Sequence, residues 1–180
     1  MDAYLQRLQQ AIQFATQGMT GEDLRRHREG KWCAGEILEH LYLTYTGTTK
    51  AFERCLQAGQ PQVRPRVFRD RARTIVVLGL GHMPKGRQSP KNALPRGVAP
   101  EQVVREIGSC ISAMAEVIAQ CESRFGKRNR LVDHPVLGPL TGRQWRKFHW
   151  VHGRHHVKQI QSLKGMLDGG RASSPVSRAS

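Results

Sequence analysis

Cysteine is scarce in this chain, and the spacing of the few that occur excludes the common cysteine sites. There are four cysteines in 180 residues and none of them forms a CxxC pair, so neither a zinc knuckle nor a dithiol redox motif is present. All of them lie within or beside segments of helical periodicity: Cys33, Cys55, Cys110 and Cys121. We therefore expect reduced thiols and a cytoplasmic protein.

Long apolar runs are also missing. No apolar stretch approaches the roughly 18 residues of a membrane span, so we expect no transmembrane helix and no membrane partner. The first ten residues, MDAYLQRLQQ, are amphipathic and lack the apolar centre of a secretory signal, so we expect no signal peptide. A chain of this length is typical of one domain with a substantial core.

Acidic residues are few relative to basic ones, which gives a net charge of +15. More than half of that excess lies between residues 61 and 98, where nine basic residues face a single acid, Asp70. The same stretch contains five prolines, which interrupt regular structure. We therefore predict a long, basic connection over residues 61–98. Its charge leaves two interpretations open, a solvated loop or a binding surface for anionic groups.

Four segments outside this connection have the periodicity of amphipathic helices. They cover residues 3–17, residues 34–58, a segment that opens at Pro100, and residues 141–167, where DGG is a stop signal. A further segment, RARTIVVLGL, fits a short helix or a strand. This pattern predicts an all-α fold, a four-helix bundle with a long basic crossover between its second and third helices. We place the domain at residues 1–168 and a disordered tail at 169–180.

The fourth predicted helix contains half of the eight histidines of the chain. At 100° per residue, His152 and His156 lie on the apolar face, four residues apart, which is how HExxH helices present two imidazoles to one zinc ion. His149 lies near that face and His155 at its edge. The spacing alone leaves open whether the pair binds a metal or is buried and hydrogen-bonded in the core.

The start of the second predicted helix, WCAGEILEHL, supplies another candidate ligand, His40. Cys33 and Glu36 stand at the cap and third positions of a capping box, although cysteine is a weak cap. Cys33 lies about 10 Å along the helix axis from His40, so we exclude it as a ligand of the same ion. Taken alone, a histidine at the edge of a helix is more typical of a surface.

Two motifs together resemble the DinB-like superfamily. WCAGEILEHL is similar to its second-helix signature, and HPVLGPLTGRQWRKFHWVHGRHHVKQI is similar to its last-helix signature. The stretch MPKGRQSPKNALPRG resembles a subfamily whose function is poorly defined. The resemblance implies an up-down-down-up bundle that forms a homodimer. It also implies one divalent metal ion, zinc or nickel, held by His40, His152 and His156, with His149 and His155 as supporting or pocket-lining residues.

The resemblance also implies a function. Relatives of known activity use the metal to activate a small thiol (bacillithiol, mycothiol or glutathione) for transfer to an electrophile, and others are called metal-dependent hydrolases. We therefore expect an enzyme acting on a small-molecule thiol or an electrophilic substrate. A di-iron bundle is excluded because the sequence has no ExxH spacing.

A second hypothesis is a basic helical binding module for nucleic acid or another polyanion, in which the histidines are structural. The net charge favours it. However, the three tryptophans are not interleaved with the basic stretch as stacking platforms would be, and no helix-turn-helix signature occurs. We therefore expect nucleic acid to be the less favoured partner.

Overall fold

The computed structural model describes residues 2–81, 83 and 89–172, with side chains up to residue 167. The chain is mostly helical, with six α-helices and one two-stranded sheet over these residues. In chain order the elements are α1 (Ala3–Thr16), α2 (Gly21–Arg25), α3 (Ala34–Gln57), α4 (Phe68–Thr74), a π-helical turn (Ile75–Gly79), a 3-10 turn (Lys91–Ala93), α5 (Pro100–Phe125), β1 (Arg130–His134), β2 (Gly138–Thr141) and α6 (Gly142–Ala172).

The four predicted helices correspond to α1, α3, α5 and α6. The first two end one residue earlier than predicted, and α5 begins at Pro100 as expected. The end of α6 differs from the prediction. The helix continues through DGG to Ala172 instead of ending at Leu167, so the predicted tail begins inside it. Residues 173–180 of that tail lie outside the described residues.

The long helices enclose one continuous apolar core. In α1 the buried residues recur at helical spacing, Leu5, Leu8, Ile12 and Ala15. The principal contacts pair α3 with α5 and α1 with α6, and α3 also packs against α6. The contact between α3 and α6 matters most for function, because these two helices carry the candidate ligands. Within the described residues, no helix combines the length and the hydropathy needed to cross a membrane.

Part of the basic connection is ordered and helical. RARTIVVLGL lies in α4 and the π-helical turn, which decides between the helix and strand interpretations in favour of a helix. Asp70 is buried there, and both of its carboxylate oxygens accept hydrogen bonds from the Arg64 guanidinium, at 2.7 and 2.8 Å. The connection is therefore more than a solvated loop, since its one acid fixes one of its arginines against the fold.

A β-hairpin, which the sequence analysis did not predict, precedes α6. Strands β1 and β2 pair antiparallel, and the Nδ1 of His134 accepts hydrogen bonds from the backbone N–H groups of Val136 and Leu137 at 3.0 and 3.1 Å. Trp145 joins the hairpin to α6, because its indole N–H donates to the Val132 carbonyl at 3.1 Å. The hairpin thus sets where α6 begins.

Candidate metal centre

His40 is fixed by a hydrogen bond from the basic connection. Its side chain on α3 is buried, and its Nδ1 lies 2.8 Å from the carbonyl oxygen of Ala93 in the 3-10 turn. Because a carbonyl can only accept, Nδ1 carries the proton and donates it to Ala93. The Nε2 of His40 is therefore left with a free lone pair.

Glu39, the neighbour of His40 on α3, holds the segment that provides this carbonyl. Its side chain is buried, and its carboxylate accepts hydrogen bonds from three consecutive backbone N–H groups. The donors are Arg96 at 2.7 Å, Gly97 at 3.1 Å and Val98 at 3.2 Å. Hydrogen bonds to an ionised acceptor are stronger than neutral ones, so residues 96–98 are held firmly against α3.

His152 and His156 lie one turn apart on α6 and meet His40 at their ring nitrogens. The Nε2 of His152 is 3.2 Å from the Nε2 of His40 and 3.1 Å from the Nε2 of His156. The ligand atoms of the three residues all lie within 4.8 Å of one another. Two nitrogens bound to one tetrahedral zinc ion are separated by roughly 3.3 Å, so the observed separations are of the right size.

The second ring nitrogen of His156 is also engaged. Its Nδ1 lies 2.7 Å from the Oε1 of Gln159, one turn further along α6. With the amide oxygen accepting, Nδ1 carries the proton and Nε2 keeps its lone pair. His156 therefore has the same tautomer as His40, set by a side-chain amide oxygen rather than by a backbone carbonyl oxygen.

His152 is buried, like His40. Its ring stacks on Phe148, with centroids 5.4 Å apart and planes 9° from parallel. Its Nδ1 is buried and has no hydrogen-bond partner among the described residues. A neutral His152 with its proton on Nε2 could satisfy only one of the two facing lone pairs. The cluster therefore has more acceptor nitrogens than protons to share between them.

Burial keeps all three imidazoles neutral near neutral pH. It lowers the pKa of His40, and it lowers the pKa of His152 well below its ordinary value, with nearby histidines adding to the effect. The pKa of His156 falls to about 4, mainly through burial and secondarily through His40. Neutral imidazole is the form that ligates metals. These three histidines could hold a metal ion. Their Nε2 lone pairs could bind a cation, whereas they have too few protons to satisfy one another by hydrogen bonds.

His149 and His155 lie outside this group. His149 is fully buried between Trp145, on which it stacks at 5.7 Å, and Tyr45, whose ring it meets edge-on at 5.4 Å. Both of its ring nitrogens and the Tyr45 hydroxyl have no hydrogen-bond partner among the described residues. His155 is half-buried, with its ring 5.1 Å from that of His156. Their supporting role stays a prediction.

Cys33 is not part of the group either. The sequence analysis had excluded it as a ligand of the ion that His40 would bind. It lies instead near His27 and Glu36 at the start of α3. Burial raises the pKa of the Cys33 thiol, and the Glu36 carboxylate already accepts the Cys33 backbone N–H at 2.8 Å. The positive end of the helix dipole also disfavours a cation there. The three histidines are therefore the better candidate for a metal centre.

The sequence analysis missed two contributors to the site, Glu39 and the carbonyl of Ala93. A backbone carbonyl leaves no trace in the amino-acid sequence. Glu39 did carry a signal, since it is an acid within the largely apolar run ILEHL. A buried acid requires several donors, and a proline-rich segment that lacks regular structure has unpaired N–H groups to offer.

Comparison with known proteins agrees with the extent of the fold described above. No curated protein and no solved structure matches the chain. One family model matches residues 4–162, a span that includes α1, the histidines of α3 and α6, and the hairpin between α5 and α6. On this match, the chain belongs to the family described as Protein of unknown function (DUF1569).

Proposed function

We propose that this protein is a metal-dependent enzyme of the DinB-like type, in which one divalent ion, zinc or nickel, is held by His40, His152 and His156. The observation that carries the proposal is the meeting of three Nε2 atoms with two tautomers already set by Ala93 and Gln159. Such an arrangement is unfavourable without a cation, because lone pairs face one another in a buried space. The proposal includes an up-down-down-up arrangement of α1, α3, α5 and α6.

Three neutral imidazoles would leave such an ion its full charge, so that a bound thiol or water would lose its proton near neutral pH. The protein's own residues have separate tasks. His40 and His156 donate their Nδ1 protons away from the centre, which keeps their Nε2 atoms aimed at it. Phe148 and Trp32, whose rings contact His152 and His40, reduce the access of water on those sides.

The substrate that we propose is a small thiol, or an electrophile that such a thiol attacks. Lys91 and Arg96 are exposed, and both lie within three residues of Ala93, the residue that contacts His40. Their positive charges would attract the carboxylates of bacillithiol, mycothiol or glutathione. A homodimer in the cytoplasm completes the proposal. The dimer rests on the resemblance alone, and the cytoplasmic location rests on the free thiols.

An open coordination position needs space for the substrate. Two surface cavities among the described residues lie elsewhere: one of about 620 Å³ includes Gln10, Phe14 and Ile107 in its lining, and one of about 260 Å³ includes Ala51 and Gln62. Since His156 is half-buried whereas His40 and His152 are buried, we propose that the substrate approaches along the His156 side of α6.

Metal analysis of single-site variants tests the proposal. Protein purified without a histidine tag should contain about one divalent ion per chain. His40→Ala, His152→Ala and His156→Ala should each lose most of it, since two imidazoles are too few for tight binding. His155→Ala is the matched control and should retain the ion. Equal loss in His155→Ala and His156→Ala would contradict the assignment.

Two further measurements separate the enzyme from its alternative. A screen with small thiols and electrophiles should detect turnover that disappears with the metal. A polyanion-binding module predicts instead that the protein binds nucleic acid tightly, with or without metal, and with a steep dependence on salt. Such binding, without turnover, would favour the alternative.

A further inference from the structure

The segment formed by α4, the π-helical turn and the residue that follows it, Leu80, displays large apolar side chains to solvent. Phe68 is 86% exposed, Leu80 76% and Ile75 58%. These exposures are unusual because most large apolar residues of the chain are buried in the core. We call these three side chains the apolar stripe. Exposed apolar clusters of this kind are typical of interaction surfaces.

Arginines flank the stripe on both sides. Phe68, Ala72 and Ile75 follow the spacing i, i+4, i+7 and share one face of the helix, and all three are exposed. At 100° per residue, Arg69 lies about 100° to one side of Phe68 and Arg71 about 60° to the other. Both arginines are exposed. An apolar centre with basic edges is the pattern of a helix that lies in a membrane interface.

The nearby acid does not neutralise these arginines. Asp70 points inward, is only 2% exposed, and has both oxygens engaged by Arg64. The surface around the stripe is therefore positive, on a chain whose net charge is +15. A partner that covers the stripe must be apolar where it meets Phe68 and anionic at the edges.

We propose that this segment docks the protein on the surface of an anionic lipid membrane, with the apolar stripe inserted among the acyl chains and Arg69 and Arg71 at the headgroups. A second copy of the chain is a poor occupant, because a symmetric contact would bring the arginines of both copies together. A protein partner is less favoured too, since three side chains expose on the order of 400 Å², half of what one side of a typical interface buries. A lipid surface requires neither shape complementarity nor a large area.

This docking is independent of the metal centre and differs from the expectation of no membrane partner. That expectation rested on the lack of a membrane-spanning run, whereas an interfacial segment needs only one apolar face. The π-helical turn packs against α6, the helix that carries His152 and His156, so docking would bring the candidate centre near the membrane surface.

Vesicle co-sedimentation of the full chain tests the proposal. We expect binding to vesicles of phosphatidylcholine with phosphatidylglycerol, and much weaker binding to phosphatidylcholine alone. The double variant Phe68→Ser/Leu80→Ser should bind the anionic vesicles at least tenfold more weakly. The control is Phe14→Ser, which removes a phenylalanine that is 69% exposed on α1, away from the segment, and it should bind as wild type does. Arg69→Gln/Arg71→Gln should lose roughly tenfold, most clearly at low salt.

An insertion measurement separates docking from non-specific adsorption of a basic protein. Phe68→Trp should show a blue shift of the added tryptophan emission with anionic vesicles, and Phe14→Trp should not. The proposal is overturned if the two tryptophans respond alike or if Phe68→Ser/Leu80→Ser binds like Phe14→Ser. It is also overturned if Phe68→Ser/Leu80→Ser instead dissociates a dimer seen by light scattering, because the stripe would then be a contact between copies.

Discussion

Replacing Glu39 with glutamine separates the role of the segment at residues 96–98 from the role of the histidines themselves. The carboxylate accepts from Arg96 on one oxygen and from Gly97 and Val98 on the other. Glutamine has a single oxygen, so its NH₂ group must face at least one backbone donor. Leaving a buried donor unsatisfied, together with the loss of the charge, should lower the free energy of unfolding by about 2 to 4 kcal/mol.

The same substitution should weaken metal binding without removing a ligand. If residues 96–98 move, the carbonyl of Ala93 moves with them, and the Nδ1 of His40 loses the acceptor at 2.8 Å. Loss of such an outer partner typically lowers metal affinity by about 10- to 100-fold. We expect Glu39→Gln to fall in this range in a competition titration against a chromophoric chelator, and to bind the same number of ions as wild type.

The matched control is Glu106→Gln. Glu106 accepts hydrogen bonds from the Tyr42 hydroxyl at 3.1 Å and from the Gln102 amide at 3.0 Å, so these partners lie on α3 and α5 and not in the 91–98 segment. This variant should keep wild-type metal affinity. If Glu39→Gln unfolds more easily but binds metal as tightly as Glu106→Gln does, the segment does not orient His40 and our account of its function is wrong.

Three further predictions concern the fold around the site. Burial lowers the pKa of His134 to about 4, from about 6.5 in the unfolded chain, so the unfolded chain binds the extra proton between these pH values. The free energy of unfolding therefore falls as the pH drops through that interval, by up to about 3 kcal/mol. His134→Asn keeps a hydrogen-bond acceptor and should flatten this slope in denaturant titrations at pH 7 and 4.5. Gly153→Ala should lower the midpoint of thermal unfolding, because a Cβ there would collide with the buried side chain of Leu8. Overpacking of this kind costs about 1 to 3 kcal/mol. An unchanged midpoint would mean that α1 can move away without loss of stability. Glu122→Gln should cost about 3 to 5 kcal/mol by leaving the buried Arg146 without its bidentate partner, and Glu122→Gln/Arg146→Met should recover part of that loss in the same assay.

The long helices could be predicted because burial on one face imposes its period on the sequence over many turns. The same spacing of 100° per residue that defines the apolar face of the fourth helix selected His152 and His156, and the structure puts their Nε2 atoms 3.1 Å apart. His40 could not be selected in this way. Its partners are 112 and 116 residues away, and only the resemblance of its surrounding motif connected it to α6.

Other features were out of reach for physical reasons. The strands of the hairpin contain five and four residues, too few for an alternating pattern to stand out beside prolines and a glycine. The five-residue helix α2 is equally short. α6 continues through DGG, so the helix stop signal in the sequence did not act there. Phe68 is exposed, although large aromatic residues are usually buried.

The wide separation of His40 from His152 along the chain has a consequence for how the protein is made. In a nascent chain, His40 leaves the ribosome more than a hundred residues before His152, and a single imidazole binds divalent ions weakly. If the three histidines hold an ion as proposed, that ion can be captured only after α6 has been made and has docked on α3. A bound ion would then tie α3 to α6 and would resist any unfolding that begins with the separation of these two helices. Cells short of the metal would in that case accumulate chains that are easily degraded, and the abundance of the protein would follow the supply of the ion.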